Sequence, residues 1–203
     1  MNSLSKTLNL RCFVAGATGL TGRHVIRHLV SAGVEATAHI RPDSSRLPEW
    51  SARFQGMGAM VSQTPWRIDD MAATLRELRP NIIFALLGTT KKRARSGDGD
   101  YEAVDYGLTA LLIEAVKQSD IKPVFVYLSS AGVSPDSTSA YMSVRARVEA
   151  LLSTSGIKTV VARPSFILGD RDEPRPGERI GAGLIDGCLS VVSLFGGGQF
   201  SSK

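Results

Sequence analysis

The residues best suited to acid–base chemistry are Tyr141 and two serines, Ser129 and Ser130, which follow a short apolar run. A tyrosine can pass a proton to or from a carbonyl or alcohol oxygen, and a serine hydroxyl can hold the same oxygen. Arg145 follows Tyr141 by four residues. In a helix this spacing places both side chains on one face, where the cation can stabilise a phenolate. These residues predict a site that moves a proton at an oxygen of a small-molecule substrate.

A glycine turn near the amino terminus predicts a binding site for a diphosphate. The turn lies between an apolar strand and an amphipathic helix and reads Gly16-Ala17-Thr18-Gly19-Leu20-Thr21-Gly22. A dinucleotide pyrophosphate needs backbone N–H donors at a helix N-terminus and no Cβ in its way. The three glycines provide the tight turn, the close approach and the packing of helix on strand. A nicotinamide dinucleotide is therefore the expected cofactor; the alternative is a glycine-rich turn with no ligand.

The second predicted strand, residues 35–40, is followed by a positively charged side chain at the place where an NAD site has an acidic one. An acidic side chain about 20 residues beyond the glycine turn accepts hydrogen bonds from the ribose of NAD. Arg41 lies at this place in the sequence, and a guanidinium suits the ribose 2′-phosphate of NADP. We expect NADP(H) to be preferred; the alternative is a solvated surface arginine.

Strands and helices alternate along the chain in the order that a parallel sheet requires. Apolar runs rich in Val, Ile and Phe predict strands at residues 11–15, 35–40, 58–63, 82–87, 124–128 and 159–162. Segments of helical period predict helices at 21–32, 69–78, 102–119 and 139–153. This order predicts an α/β fold: a doubly wound, Rossmann-like parallel sheet with helices on both faces. A small substrate-side segment is expected at the C-terminus.

Length and charge fit one domain that binds an anionic ligand. The chain has 203 residues, of which 43% are apolar, and a formal net charge of +5. We expect one NAD(P)-binding domain over residues 1–203, whose part from 164 to 203 is a short substrate-side segment, either naturally short or missing its last strand and helix. A basic run at 91–95 is expected to be a solvated loop beside the anionic cofactor, and no nucleic-acid partner is expected.

The cysteines and the apolar runs bear on the cellular compartment. Cys12 and Cys188 lack the spacing of a disulfide framework or a metal site. His24 and His28 are four residues apart but have no third ligand in the sequence, so no metal is expected. The apolar run at 82–87 is far shorter than the ~20 residues of a membrane helix. We expect a cytoplasmic protein with no signal peptide and no membrane partner; an organelle whose transit peptide is missing here is the alternative.

Several motifs together resemble the atypical short-chain dehydrogenases/reductases. They are the glycine turn at 16–22, Leu87-Gly88-Thr89-Thr90, Leu128-Ser129-Ser130, Tyr141-x-x-x-Arg145 and Arg163-Pro164. The charged stretch at 170–179 is similar to a loop of the Tat-interacting-protein-like oxidoreductases, a branch of that superfamily. The resemblance covers about residues 10 to 180.

The resemblance implies an NADPH-dependent oxidoreductase acting on a small carbonyl or alcohol. It implies that the glycine turn contacts the pyrophosphate, that Arg41 contacts the adenosine phosphate, and that Leu87, Gly88 and Thr89 contact the cofactor above the fourth strand. Tyr141 would act as acid/base with Ser130 or Ser129 holding the substrate oxygen. Tyr141 and Arg145 would approach the nicotinamide ribose, and Ile167 and Arg175 would close over the cofactor.

Arg145 departs from the family pattern, which has lysine at this position. Arginine keeps the charge but is never deprotonated, so a proton relay through this position is lost. The alternative function is therefore a catalytically weak or inactive NADP(H)-binding regulatory or interaction module. Its loops at 91–100 and 170–179 would present a surface to a protein partner. Monomer and homodimer both remain open.

Overall fold

This computed structural model describes residues 10–89 and 100–165, and their strands form one parallel sheet. The strands are β1 (Arg11–Ala15), β2 (Glu35–His39), β3 (Met60–Ser62), β4 (Ile82–Ala85), β5 (Val124–Leu128) and β6 (Thr159–Ala162). Their order in the sheet is β3-β2-β1-β4-β5-β6. The order reverses between β1 and β4, which pair directly in parallel. Ligands of open α/β sheets bind at such a switch point, outside the carboxyl ends of the strands.

Helices cover both faces of this sheet. They are α1 (Leu20–Ser31), α2 (Leu47–Gly56), α3 (Ile68–Leu78), α4 (Leu108–Gln118) and α5 (Ala140–Thr154), and a π-helical segment (Tyr101–Gly107) leads into α4. One apolar core packs α1 and α2 on one face of the sheet. A second core packs α3, α4 and α5 on the other.

The alternation of side chains along β1 shows why both faces are buried. Cys12 and Val14 point into the core beneath α1 and α2, whereas Phe13 and Ala15 point into the core beneath α3, α4 and α5. Successive side chains of a strand project to opposite faces, so an unbroken apolar run fills both cores. The predicted doubly wound α/β sheet is thereby confirmed.

The carboxyl end of β4 leaves the sheet earlier than the sequence predicts. The predicted strand extends to residue 87, but β4 ends at Ala85. The carbonyl oxygen of Leu86 lies against Gly16, and that of Leu87 faces the guanidinium of Arg145. The amide of Leu86 still donates to the carbonyl oxygen of Ala15 in β1, at 3.0 Å. The carbonyl oxygens of Leu86 and Leu87 instead face the glycine turn and Arg145.

Helix α2 was not predicted from the sequence. Trp50 lies inside this helix and is buried with Phe54 in the core. The helix has Pro48 in its first turn and few apolar residues, so its periodicity is weak. Tertiary packing of two aromatic side chains compensates for that weak local signal.

The predicted helix at 102–119 is divided in two. Its first part, Tyr101–Gly107, is π-helical, and regular α-helix begins at Leu108. The aspartate Asp100 caps the π segment by accepting a hydrogen bond from the amide of Ala103, at 2.7 Å. Short π-helical turns are frequent at functional sites, and this one lies against α5.

Candidate active site

The glycine turn is pressed against the backbone that follows β4. Gly16 has φ +82°, and a Cβ on it would lie 2.5 Å from the carbonyl oxygen of Leu86. A Cβ on Gly22 would lie 2.2 Å from the carbonyl oxygen of Gly16. Both obstacles are backbone atoms, which no rotamer change can move aside. The turn therefore requires glycine at both positions.

The N-terminus of α1 suits an anion. Gly19 caps the helix without a side-chain hydrogen bond, and the first turn contains no acidic residue. The amide of Gly19 donates to the carbonyl oxygen of Gly16 at 3.1 Å, which closes the turn. Amides at the start of a helix and the positive end of its dipole favour a phosphate. This backbone fits the diphosphate of a dinucleotide.

Arg41 lies just past β2 in an exposed loop. Its side chain is half exposed and forms an ion pair with Asp43, at 3.5 Å between Nη1 and Oδ2. This exposed pair is weak in water, so the Arg41 guanidinium can exchange Asp43 for a phosphate.

Two further arginines near the β2 end were missed by the sequence analysis. Arg23 in the first turn of α1 and Arg46 just before α2 place their guanidinium groups 5.6 Å and 4.8 Å from the centre of the Trp50 ring. Trp50 thus joins the start of α1 to the loop that contains Arg41. Recognising α2 in the sequence would have placed Arg46 near Trp50, whereas the contact between Arg23 and Trp50 depends on the packing of α1 and α2.

Tyr141 lies in the first turn of α5, with Arg145 one turn later. The guanidinium of Arg145 is centred 4.7 Å from the middle of the Tyr141 ring, and Tyr101 packs edge-on against the same ring at 5.4 Å. The phenol is thus held between the π segment and a buried cation.

Arg145 is anchored by the protein at both of its amino groups. Nη2 donates to Asp105 Oδ1 at 3.0 Å and lies 3.5 Å from the carbonyl oxygen of Leu87. Nη1 donates to the carbonyl oxygen of Leu128 and to the Tyr127 hydroxyl, the latter at 3.2 Å. Nε is buried and has no hydrogen-bond partner within the described residues. The side chain therefore clamps the ends of β4 and β5 to α5.

Burial governs the electrostatics around this clamp. Burial raises the pKa of Asp105, although Arg145 and the amide of Thr89 oppose it. For Arg145 burial acts to lower the pKa, but Tyr127, Tyr141 and Asp105 outweigh it and raise the pKa above its usual value. Arg145 therefore stays charged. Asp105 was not predicted as a site residue, although a lone carboxylate on the apolar face of a predicted helix was a usable signal.

Tyr127 is a buried tyrosine close to Tyr141 that does not serve as an acid–base group. Burial raises the pKa of Tyr127 to about 12, with Arg145 partly opposing this. Its hydroxyl therefore remains protonated and acts as part of the Arg145 anchor.

The two serines after β5 have different surroundings. Ser129 is buried and donates to Glu149 Oε1 at 2.5 Å. Glu149 also accepts hydrogen bonds from Arg163, so the Ser129 hydroxyl belongs to a structural network. Ser130 is half-buried, and its hydroxyl makes a long contact of 3.4 Å with the carbonyl oxygen of Ala131. Its hydroxyl is the more available of the two for a substrate.

Leu87, Gly88 and Thr89 connect the glycine turn with the Tyr141 region. The amide of Thr89 donates to Asp105 Oδ2 at 2.9 Å, and a Cβ on Gly88 would lie 3.1 Å from Arg145 Nη2. Leu86, one residue earlier, touches the glycine turn. One continuous line of contacts therefore runs from the glycine turn to Arg145 along the carboxyl edge of the sheet.

Some expected site residues lie outside the described residues. These are Ile167, Arg175, Cys188, residues 91–99 of the first loop and the whole loop at 170–179. Over residues 10–89 and 100–165, histidine, cysteine and carboxylate side chains form no group that could hold a metal ion. In the same part of the chain, every helix is too short or too polar to cross a membrane.

Comparison with known proteins corrects the expected cellular location. The chain is 31% identical over 169 residues to a protein of Aspergillus fumigatus and 28% identical over 172 residues to one of Aspergillus niger, each named "Protein fmp52, mitochondrial". The alignments cover 80% and 83% of this chain, and 69% and 71% of those proteins. These names overturn the expectation of a cytoplasmic location. The cysteine pattern on which the expectation rested argues against a secreted protein, but it does not separate the cytosol from a mitochondrion.

Comparison with solved structures shows the same fold. A UDP-glucose-4-epimerase from Stenotrophomonas maltophila with bound NAD aligns with a TM-score of 0.59 and 16% identity. The alignment covers 81% of this chain, which spans 59% of that epimerase. At this identity the likeness shows the Rossmann-type fold alone.

A family model described as NAD(P)H-binding matches residues 16–184, which include the glycine turn, the segment after β4 and α5. The site geometry places these same segments along one edge of the sheet. The match covers most of the chain and bears out the resemblance to the atypical short-chain dehydrogenases/reductases. This chain belongs to the NAD(P)H-binding family of Rossmann-type proteins.

Proposed function

We propose that this protein is an NADPH-dependent oxidoreductase of the atypical short-chain type that acts on a small carbonyl or alcohol substrate. The observation that carries the proposal is the continuous line of contacts from the glycine turn, through Leu86 to Thr89, to Arg145 and Tyr141. It supports the proposal because it connects Tyr141 with the glycine turn along the edge of the sheet where open α/β folds bind dinucleotides.

The nicotinamide, when bound, gives or takes a hydride at a carbon atom of the substrate. Tyr141 gives or takes the proton at the substrate oxygen, and the Ser130 hydroxyl donates a hydrogen bond to that oxygen. Arg145 lies over the Tyr141 ring and holds the ring in place. Ser129 keeps its bond to Glu149 and supports the turn on which Ser130 lies.

The buried Nε of Arg145 supports binding of a cofactor near α5. An N–H group without a partner in the interior is costly, by about 1–3 kcal/mol. Among the described residues, Nη1 and Nη2 of Arg145 both have partners, whereas the Nε–H group has none. A hydroxyl of the nicotinamide ribose would satisfy it.

Preference for NADP(H) over NAD(H) is part of the proposal. Arg41 offers a guanidinium just past β2 with only an exposed, 3.5 Å partner in Asp43. Arg46 adds positive charge in the same loop, although its guanidinium is bound to Glu49. A 2′-phosphate on the adenosine ribose fits this loop better than a free hydroxyl does.

The decisive experiment measures loss of NADPH absorbance by the purified protein with a panel of aldehydes, ketones and quinones. We expect turnover with at least one class and a loss of roughly 10²- to 10⁴-fold in Tyr141→Phe, which removes the proton donor. Ser129→Ala is the matched control because its hydroxyl faces Glu149, and it should keep most of the activity. Equal turnover by wild type and Tyr141→Phe would contradict the assignment.

A second function is favoured by the anchoring of Arg145. Because both amino groups of Arg145 bind Asp105 and backbone carbonyls, the residue is less free than a lysine to take part in turnover. The protein would then be an NADP(H)-binding interaction module with loops at 91–100 and 170–179 that face a protein partner. Limited proteolysis of these loops should slow when NADPH is added, with no oxidation of the cofactor over hours. Unchanged cleavage would count against this function.

A mitochondrial location is proposed from the names of the relatives. The relatives from Aspergillus fumigatus and Aspergillus niger are both named as mitochondrial proteins. A fluorescent protein fused to the C-terminus should colocalise with a mitochondrial dye, and diffuse cytosolic fluorescence would contradict the proposal.

A further inference from the structure

We infer that Asp105 is a positioning residue that holds the segment Leu87 to Thr89 in the shape that receives the cofactor. The inference rests on the proposed binding of NADP(H) at this edge of the sheet. Asp105 lies in the π segment before α4, close to the end of β4 and to α5.

Each carboxylate oxygen of Asp105 holds a different element of the fold. Oδ1 accepts from Arg145 Nη2 at 3.0 Å, and Oδ2 accepts from the amide of Thr89 at 2.9 Å. Arg145 belongs to α5, whereas Thr89 follows β4. The Asp105 side chain is 0% exposed, so water cannot replace either contact.

Asp105 and Arg145 together fix three consecutive residues after β4. Arg145 Nη2 lies 3.5 Å from the carbonyl oxygen of Leu87, and Asp105 binds the amide of Thr89. Gly88 lies between them, where a Cβ would come within 3.1 Å of Arg145 Nη2 and 3.4 Å of Asp105 Oδ1. The segment is thus held at Leu87 and at Thr89, and Gly88 between them packs against the Arg145–Asp105 pair.

Two acceptor oxygens are needed for this arrangement, and an amide supplies only one. Asparagine at position 105 has one acceptor oxygen and one NH₂ donor. The charged Arg145 would retain the oxygen because charge-assisted hydrogen bonds are the stronger ones. The NH₂ group would then face the Thr89 N–H, donor against donor. Asp105→Asn should therefore break the hydrogen bond from the Thr89 amide while leaving Arg145 bound.

The test compares the wild type with Asp105→Asn in the full chain by NADPH titration calorimetry and by amide NMR. We expect NADPH to bind roughly five- to tenfold more weakly to Asp105→Asn, because ordering the freed segment costs about as much as one hydrogen bond contributes. The Thr89 amide proton should shift upfield and exchange faster with solvent. These two signals are specific to the lost carboxylate contact.

Thr109→Val is the matched control for general destabilisation. Thr109 is buried in α4 and donates to the backbone carbonyl oxygen of Asp105 at 2.8 Å. Its replacement removes a hydrogen bond of the same region without unpairing Thr89. It should lower stability but leave the NADPH affinity and the Thr89 amide signal within about twofold of the wild type.

The outcomes separate this inference from the proposed function. If the wild type binds neither NADPH nor NADH, the proposed function fails. If the wild type binds NADPH and Asp105→Asn binds it equally with an unchanged Thr89 amide, the inference is wrong. The wild type also tests it without any variant: an unprotected Thr89 amide in the cofactor-free protein would overturn it, even if Asp105→Asn did not fold.

Discussion

Arg145 Nη2 lies 3.0 Å from Asp105 Oδ1, and both side chains are at most 5% exposed. A buried ion pair is stable only when further hydrogen bonds satisfy the remaining donors. Here the carbonyl oxygen of Leu128 and the hydroxyl of Tyr127 do so for Nη1. Arginine at this position is therefore a fixed structural cation beside Tyr141, which a single lysine amine could not reproduce.

Removing the cation should be strongly destabilising. Arg145→Met leaves the Asp105 charge buried without its partner, and we expect a loss of about 3–5 kcal/mol in the free energy of unfolding. Urea unfolding followed by circular dichroism measures it. Arg147 lies in the same helix as Arg145, and Arg147→Met, which breaks an exposed pair with Glu102 of the π segment, should have a much smaller effect.

The double variant Arg145→Met/Asp105→Asn tests whether the two side chains act as a pair. It removes the uncompensated charge, so it should be more stable than the sum of the single effects implies, with a coupling of about 1–3 kcal/mol. Simple additivity would show that the two residues stabilise the fold independently.

Replacing Ser129 should mainly lower stability, whereas replacing Ser130 should mainly lower turnover. Ser129→Ala takes a hydrogen bond from Glu149 and should lower the free energy of unfolding by about 1 kcal/mol. Ser130→Ala should leave stability nearly unchanged but reduce turnover of any accepted substrate by at least roughly tenfold. Thermal melts and steady-state rates on both variants decide this, and the reverse pattern would exchange their roles.

Arg41→Ala should weaken binding of NADPH by roughly tenfold or more and leave that of NADH nearly unchanged. The reason is that the guanidinium meets a 2′-phosphate that NADH lacks. Calorimetric titration of both cofactors into wild type and variant measures the two affinities. Equal affinity of the wild type for both cofactors would remove the NADP(H) preference.

Gly22→Ala should disrupt the glycine turn. Its Cβ would meet the Gly16 carbonyl oxygen at 2.2 Å and the Ala17 Cα at 2.7 Å, so the backbone must move. We expect a loss of roughly 1–3 kcal/mol in stability and a loss of NADPH binding. Gly56→Ala is the control, because a Cβ there has no atom within 4 Å among the described residues, and both properties should be retained.

Because of His39, the free energy of unfolding should decrease as the pH is lowered through the range where histidine titrates. Burial lowers its pKa from 6.5, although the hydrogen bond to the Thr64 carbonyl oxygen opposes this. Below about pH 6.5 the unfolded chain takes up a proton before the native protein does, so stability decreases as the pH falls from there.

The variant His39→Gln keeps a donor for Thr64 and removes the titrating ring. Urea unfolding at about pH 7.5 and about pH 5.5 should show a smaller decrease for this variant than for the wild type. An equal decrease would show that His39 does not control the effect.

The sequence by itself specified the strands, four of the helices in outline and the glycine turn. These features are local: a run such as Ile82–Ala85 is apolar at every position, and Gly16, Gly19 and Gly22 follow one another within a single turn. Helix α2 escaped prediction because Leu47, Trp50 and Phe54 alone mark its buried face, and long-range packing stabilises it.

The tertiary structure alone decided the partners of the candidate catalytic residues. Asp105 and Arg145 are 40 residues apart, and Ser129 is 20 residues from Glu149. Position in the chain gives no measure of such distances, since they are set when β4 and β5 pair and α5 packs across their ends. Residue type and spacing could therefore identify Tyr141, Arg145 and the two serines as candidates. Burial and hydrogen bonding in the folded sheet then distinguished the serine available to a substrate from the serine and the arginine that hold the site together.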